Sequence, residues 1–197
     1  MLKTDEISFL DKVLCKMKEP YSSDGTIYLN ESGGDASLNN ILVTKVSPVF
    51  FALKPDKCGF QIFSSGYGSK QCDYILLSEF RGTKVAVFVE LKSSVPLEDA
   101  CGAIPTPDEN GNYEDYVTQL TSSSCLLDFL NSVLSNFCKC NELSTYMRYY
   151  TVLHNTDVPP IGEEISLTRP ESNDSPQKAY IRKTDNNETM TLGHLIR

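Results

Sequence analysis

The sequence predicts an α/β fold, in which a small mixed β-sheet is flanked by helices and extended by extra C-terminal strands. Three observations support this class. Apolar residues recur at helical spacing in two stretches, short apolar runs bounded by turn residues lie between and after them, and the longer helical stretch is followed by a strand pattern. An order of helix, strands, helix and strand is typical of layered α/β or α+β domains.

The first half of the chain contains one predicted helix and several short strands. The helix covers about residues 5–18 and ends before Pro20; its apolar face comprises Ile7, Leu10, Val13, Leu14 and Met17. Residues 21–40 are rich in Ser, Gly, Asp and Asn and predict a loop. Short strands are predicted within and after this loop, at 26–29, at 41–52 with an interruption at Pro48, and at 61–63.

The second half begins with two apolar runs that flank a polar turn, CDYILLSEFRGTKVAVFVELKS at 72–93, and this pattern predicts a β-hairpin. A linker rich in proline and glycine follows to residue 112. The longest helix is then predicted from Tyr116 to Phe137, since apolar residues recur there at helical spacing. The remaining apolar runs predict strands at 146–153, 164–168, 179–181 and 190–196.

Length and composition predict one soluble domain. The chain has 197 residues, of which 40% are hydrophobic and 22% are charged, as in ordinary globular proteins. We expect a single domain over 1–197, with a core over about 1–155 and a C-terminal strand extension over about 156–197. The N-terminal residues lack an apolar signal region and no stretch is long enough to span a bilayer. A cytoplasmic location with no membrane partner is therefore expected.

The cysteines do not predict a disulfide framework, because the count of seven is odd and their spacing is irregular. Cys138 and Cys140 form a C-x-C pair, and His154 follows them. A structural zinc site usually combines two such short pairs, and no second pair is present. Cys58 or Cys72 is an alternative source of further ligands, although reduced, buried thiols are the favoured interpretation.

The net charge of −8 bears on the partners of the protein. Proteins that bind nucleic acid mainly by neutralising phosphates usually carry a basic stripe, whereas lysine and arginine are scattered along this chain. The charge therefore argues against tight, nonspecific binding to nucleic acid by this chain alone.

The predicted hairpin places three charged residues together. Alternate residues of a strand share a face, so Glu90 and Lys92 lie on the same face. A two-residue loop at Arg81-Gly82, the turn signal between the arms, pairs Phe80 with Thr83 and, counted outward, Asp73 with Glu90. A four-residue loop gives the same register, whereas a three-residue loop would move Asp73 to the opposite face.

Two carboxylates in directly opposed positions destabilise a hairpin unless a cation lies between them. Mg²⁺ prefers oxygen ligands and commonly takes one or two carboxylates, with water and phosphate completing its shell. A lysine beside such a metal orients or helps to deprotonate an attacking water molecule. The alternative is that Asp73 merely begins a strand, and that Glu90 and Lys92 form a weak ion pair at a solvated strand end.

These residues resemble the motif of the PD-(D/E)xK nuclease superfamily, with Asp73 before the hairpin and Glu90-Leu91-Lys92 on the partner strand. The resemblance covers about residues 71–120 and implies a restriction-endonuclease-like core. It further implies that Asp73, Glu90 and the Leu91 carbonyl bind Mg²⁺ or Mn²⁺, and that Lys92 is catalytic. Gln119 matches a glutamine that many members carry in the next helix. Glu31 is the nearest candidate for an additional acid.

The resemblance implies a metal-dependent nuclease that hydrolyses phosphodiester bonds, with DNA as the expected substrate and restriction or anti-phage defence as the setting. Because the chain is acidic, we expect a protein partner or a homo-oligomer to supply the binding surface. The nearest basic rim comprises Lys70, Arg81, Lys84 and Lys92. Two alternatives remain, a non-catalytic binding or regulatory subunit of the same fold and an acidic interaction protein with a coincidental motif.

Overall fold

A computed structural model describes residues 24–31, 38–46, 51–55, 70–93, 105–109, 111, 115–138, 142–155 and 171–196. The predicted helix at 5–18 and the predicted strands at 61–63 and 164–168 lie outside these residues, as does Cys140 of the C-x-C pair.

The described residues form two β-sheets and one long helix, a mixed α/β architecture as the sequence predicts. The main sheet has the strand order β3-β4-β5-β6-β7, and the small sheet has the order β1-β2-β8. The bounds are β1 Ile27–Leu29, β2 Ile41–Thr44, β3 Phe51–Leu53, β4 Tyr74–Phe80, β5 Thr83–Lys92, α1 Asp115–Cys138, β6 Met147–His154, β7 Tyr180–Lys183 and β8 Thr189–Thr191.

The β4–β5 hairpin has the predicted register. Phe80 pairs with Thr83 and the ladder runs outward to the pair Tyr74–Val89. The two loop residues, Arg81 and Gly82, have φ angles of 51° and 80°. Positive φ at both positions is the signature of a type I′ turn, whose twist matches that of the flanking strands.

The direction of the strands changes across the main sheet. β3, β4 and β5 are antiparallel neighbours, whereas β5, β6 and β7 run parallel to one another. Parallel neighbours need a crossover connection, and α1 lies in the segment that joins β5 to β6. Consequently the carboxyl ends of β5, β6 and β7 meet at one edge of the sheet.

The main sheet is buried on both faces. On one face, which we call the helix-side face, sheet residues such as Ile75 and Phe88 pack against residues of α1 such as Leu120. The other face packs against the small sheet through residues such as Val87 and Ile41. Burial on both faces explains why β5 reads as a continuous apolar run rather than an alternating one.

Two predicted strands differ from the structure. The predicted strand over 41–52 is divided into β2 and β3, which belong to different sheets. Lys45, directly after β2, has a φ angle of 56°, a left-handed conformation that turns the chain out of the strand. The predicted strand over 190–196 is shortened to β8, because a 3₁₀ turn at Leu192–His194 follows, with Thr191 and His194 capping each other.

Two glycines provide a matched test of this backbone. Gly82 and Gly25 both have positive φ, 80° and 76°, but an added Cβ at Gly25 would lie 2.3 Å from the Val46 carbonyl oxygen, whereas at Gly82 it meets nothing within 4 Å. Gly82→Ala is expected to lower the free energy of unfolding by about 1 kcal/mol through backbone strain alone. Gly25→Ala should cost clearly more, as urea denaturation of both variants will measure. Equal losses would contradict the clash.

Candidate functional site

Asp73 and Glu90 lie side by side where the β4–β5 ladder opens. The rung beyond Tyr74–Val89 places Asp73 opposite Glu90. Both side chains are on the helix-side face, since Ile75 and Phe88, two residues inward on each strand, pack there. Asp73 is 7% exposed and Glu90 is 2% exposed. The structure thus gathers the two carboxylates that the sequence predicts, and it buries them.

Each carboxylate accepts a hydrogen bond from the backbone of the opposite strand. The Leu91 N–H donates to Asp73 Oδ2 over 2.8 Å, and the Asp73 N–H donates to Glu90 Oε2 over 3.2 Å. This crossed pair of bonds replaces ladder hydrogen bonds at the end of the hairpin and fixes both side chains. The Lys92 ammonium lies 3.1 Å from Glu90 Oε1, with 24% of its side chain exposed. The Lys92 side chain therefore lies on the solvent side of the buried Asp73 and Glu90 carboxylates.

The electrostatics of this cluster favour a proton or a cation. Burial, and secondly the charge of Asp73, raise the pKa of Glu90 from 4.5 to about 8, even though Lys92 acts in the opposite direction. In the metal-free protein, Glu90 therefore keeps its proton to a higher pH than an exposed glutamate does. Burial also raises the pKa of the adjacent Cys72 thiol, so Cys72 remains protonated and unreactive.

Helix α1 fixes the segment that leads into Asp73. The Cys72 N–H donates to Ser123 Oγ over 2.7 Å. The same hydroxyl lies 3.0 Å from Gln71 Oε1 and 2.9 Å from the Gln119 carbonyl oxygen. Ser123 is fully buried. Ser123 was not predicted as a site residue. Its position one helical turn after Gln119 is the sequence feature that could have indicated its role.

Gln119 lies on the first turns of α1, next to the chain that enters the site. Its Nε2 is 3.5 Å from the Gln71 carbonyl oxygen, and its Oε1 is buried with no hydrogen-bond partner among the described residues. Buried acceptors of this kind are rare and indicate a missing donor. The described side-chain hydrogen bond of Gln119 is with Gln71 rather than with Asp73, Glu90 or Lys92.

Glu31 does not join the carboxylate pair but ties a loop to the end of β5. Its Oε1 accepts a hydrogen bond from the Ser93 N–H over 3.1 Å, and its Oε2 accepts one from Ser93 Oγ over 2.8 Å. The Leu38 N–H also donates to Oε2, over 3.1 Å. Since Ser93 directly follows Lys92, Glu31 fixes the backbone beside the predicted catalytic lysine.

The predicted basic rim is not continuous. Arg81 and Lys84 lie at the turn of the hairpin, and the six steps along the strand from Lys84 to Glu90 span about 20 Å. Lys70 does lie near the site, where it pairs with Asp115 at the start of α1 over 2.8 Å. Lys70 and, to a smaller extent, Lys92 lower the pKa of Asp115.

His154 was not predicted for this site, yet it ends the strand beside Lys92. In the parallel β5–β6 register, Lys92 pairs with His154, which is 1% exposed. Burial, and secondly Lys183, lower the pKa of His154, so the imidazole is neutral at neutral pH. A histidine at the end of an apolar strand is the sequence feature that could have indicated a site residue. That His154 lies beside Lys92 could not be predicted without knowing the parallel pairing of β5 and β6.

The ligand chemistry of the cluster narrows the metals that fit. Among the described residues, no group of three or more His, Cys, Asp or Glu side chains is arranged to hold a metal ion. Structural zinc, which needs four protein ligands, is therefore not matched by this part of the chain. Two adjacent carboxylates do match the set that Mg²⁺ typically takes from a protein.

Comparisons of the chain with protein-family models, with curated proteins and with solved structures gave no significant match. No helix in the described ranges is long and apolar enough to cross a membrane.

The raised pKa of Glu90 predicts a pH dependence of stability. Between about pH 5 and pH 8, native Glu90 keeps a proton that the unfolded chain has released, so the free energy of unfolding of the metal-free protein should fall as pH rises. Urea denaturation in EDTA across this range will measure this contribution as the difference between wild type and Glu90→Gln. Exposed Glu79 on β4 supplies the control, Glu79→Gln. A difference that is flat or rises with pH would contradict the assignment.

Proposed function

We propose that this protein is a metal-dependent nuclease that hydrolyses phosphodiester bonds at Asp73, Glu90 and Lys92, within a restriction-endonuclease-like arrangement of the hairpin. One observation carries the proposal. Two buried carboxylates share a rung of the sheet, and a lysine with partial access to solvent lies 3.1 Å from one of them.

Burial of two like charges side by side is costly. Two adjacent, desolvated carboxylates cannot both be ionised unless positive charge compensates them. The raised pKa of Glu90 is a consequence of this repulsion and of burial. The Lys92 ammonium supplies one positive charge, which leaves the pair short of neutrality when both acids are ionised. With a divalent cation bound, Asp73 and Glu90 could both be ionised, and Glu90 would not need its proton.

The residues present fit such an ion. Each carboxylate oxygen has about two acceptor positions, so the hydrogen bonds from Leu91 and Asp73 leave capacity for coordination. Asp73 and Glu90 would hold Mg²⁺ or Mn²⁺, with the Leu91 carbonyl as the further ligand that the resemblance implies. The Oε1 of Gln119, which is buried with no partner within the described part of the chain, offers a further acceptor on α1, suited to a water molecule or a substrate donor.

The bound ion would supply Lewis-acid stabilisation of the charge that builds on the phosphate oxygens. The chain itself performs the remaining tasks. The Lys92 ammonium, at the solvent side of the pair, orients the attacking water and stabilises negative charge on the phosphate. The crossed hydrogen bonds hold Asp73 and Glu90 in place, which keeps the site preorganised. Glu31 fixes the backbone after Lys92 through Ser93.

DNA remains the expected substrate, and the net charge of −8 continues to favour a partner or an oligomer that supplies binding surface. The discontinuous basic rim strengthens that expectation, because Arg81 and Lys84 lie far from the site. The second candidate is a non-catalytic subunit of the same fold. It is favoured by the hydrogen bonds and the ion pair, which give both carboxylates protein partners, together with a proton on Glu90 that would balance the charge without a metal.

Activity assays on matched variants test the proposal. Wild type should cut plasmid DNA, single-stranded DNA or RNA only with Mg²⁺ or Mn²⁺, and Glu90→Gln and Lys92→Met should each lower the rate by at least about a hundredfold. Glu79→Gln and Lys84→Met are the controls, since these residues pair on the same face near the opposite end of the same hairpin. They should keep wild-type rates.

Calorimetric titration with Mn²⁺ separates the two candidate functions. The nuclease requires binding that survives in Lys92→Met and is lost in Glu90→Gln. Binding of Mn²⁺ without cutting of any nucleic acid would indicate a nuclease that requires its partner. Absence of both binding and cutting would overturn the metal site and favour the non-catalytic subunit.

A further inference from the structure

The edge at which the parallel strands end carries a row of basic side chains beyond the proposed catalytic cluster. Lys92 pairs with His154, and His154 pairs with Lys183 on β7. The row lies on the helix-side face, because Val152 and Ile181, two residues earlier on β6 and β7, pack there. Ligands of α/β sheets commonly bind at the carboxyl ends of strands.

The two lysines are spaced along this edge by two strand widths, about 10 Å between their backbones. Lys183 is exposed and Lys92 is partly exposed, whereas His154 between them is buried. Since His154 is neutral at neutral pH, the positive charge of the row comes from the two lysines. Lys183 lies close enough to His154 to lower its pKa, which agrees with the register.

This row stands out in an acidic chain. Three described basic residues form ion pairs with acids away from this edge, namely Arg148 with Asp128, Arg182 with Glu188 and Lys178 with Asp174. Asp115 is an acid that faces Lys92, and Lys70 forms an ion pair with it. The exposed Lys183 therefore adds a positive charge to this edge, on the face that also carries Lys92.

We propose that Lys183 forms a second phosphate-binding subsite, which holds a phosphate of the same nucleic acid strand whose scissile phosphate lies at Lys92. This inference rests on the proposed function, and it deepens it by naming the substrate as a polynucleotide strand rather than a small phosphodiester. One strand of a duplex carries a negative charge about every 3.4 Å of helix axis, so about 10 Å corresponds to about three phosphates along the strand.

Binding of labelled 12-nucleotide single strands to the full chain in EDTA tests the subsite without cleavage. Fluorescence anisotropy over a range of NaCl concentrations should show that Lys183→Ala weakens binding about fivefold at 0.1 M salt and lowers the salt slope by about 0.7, the value for one phosphate contact on a single strand. Lys183→Arg should restore both. Lys178→Ala, before the opposite end of β7, removes the same charge and should bind as wild type does.

DNA and RNA strands form two arms of this experiment, since both carry the phosphodiester chemistry that Lys183 would recognise. Equal losses in both arms indicate contact with the backbone, and a loss in one arm identifies the nucleic acid. If Lys183→Ala binds as Lys178→Ala does, or if wild type binds neither strand, the subsite is overturned. Binding that depends on Lys183 in a protein that never cuts would support the subsite while overturning the nuclease.

Discussion

The register of the β4–β5 hairpin is the constraint on which the candidate site depends. The type I′ turn at Arg81 and Gly82 sets the pairing, and the alternation of side chains then places Asp73 and Glu90 on one rung and one face. A shift of one residue would send the apolar residues of β5 to the wrong core as well as separating the carboxylates. The two hydrophobic cores therefore stabilise the same register that the site requires. The register of the hairpin thus determines both the packing of the fold and the geometry of the site.

Burial gives the carboxylate pair its chemical character. The main sheet is covered on both faces, and the pair lies just where that cover ends, so Glu90 is desolvated while Lys92 retains contact with water. The same pair at an exposed strand end would be screened by solvent and would have little tendency to hold a proton or an ion. The position of the rung relative to the edge of the core matters as much as the identity of its residues.

Local patterns predicted the parts of this structure that local forces determine. The hairpin, the long helix and the Asp73–Glu90 rung follow from turn chemistry and side-chain periodicity within a few tens of residues. The role of Glu31 and the placement of His154 did not follow, because they depend on contacts across the fold, with Ser93 and through the parallel β5–β6 pairing. The division of 41–52 between two sheets depended on a left-handed residue, Lys45, that no turn signal marks. The predicted metal ligands, nuclease activity and partners remain predictions.

The small sheet joins parts of the chain that are far apart in sequence, and this has a consequence for folding kinetics. β8 pairs in parallel with β2, with Leu42 beside Thr189. Contacts of such long sequence separation form slowly, because the closure entropy of the intervening chain opposes them. On the ribosome, β2 lacks this neighbour until residues 189–191 have been synthesised, so the cover over one face of the main sheet is completed late. Assembly of the hairpin can thus precede completion of the core behind it.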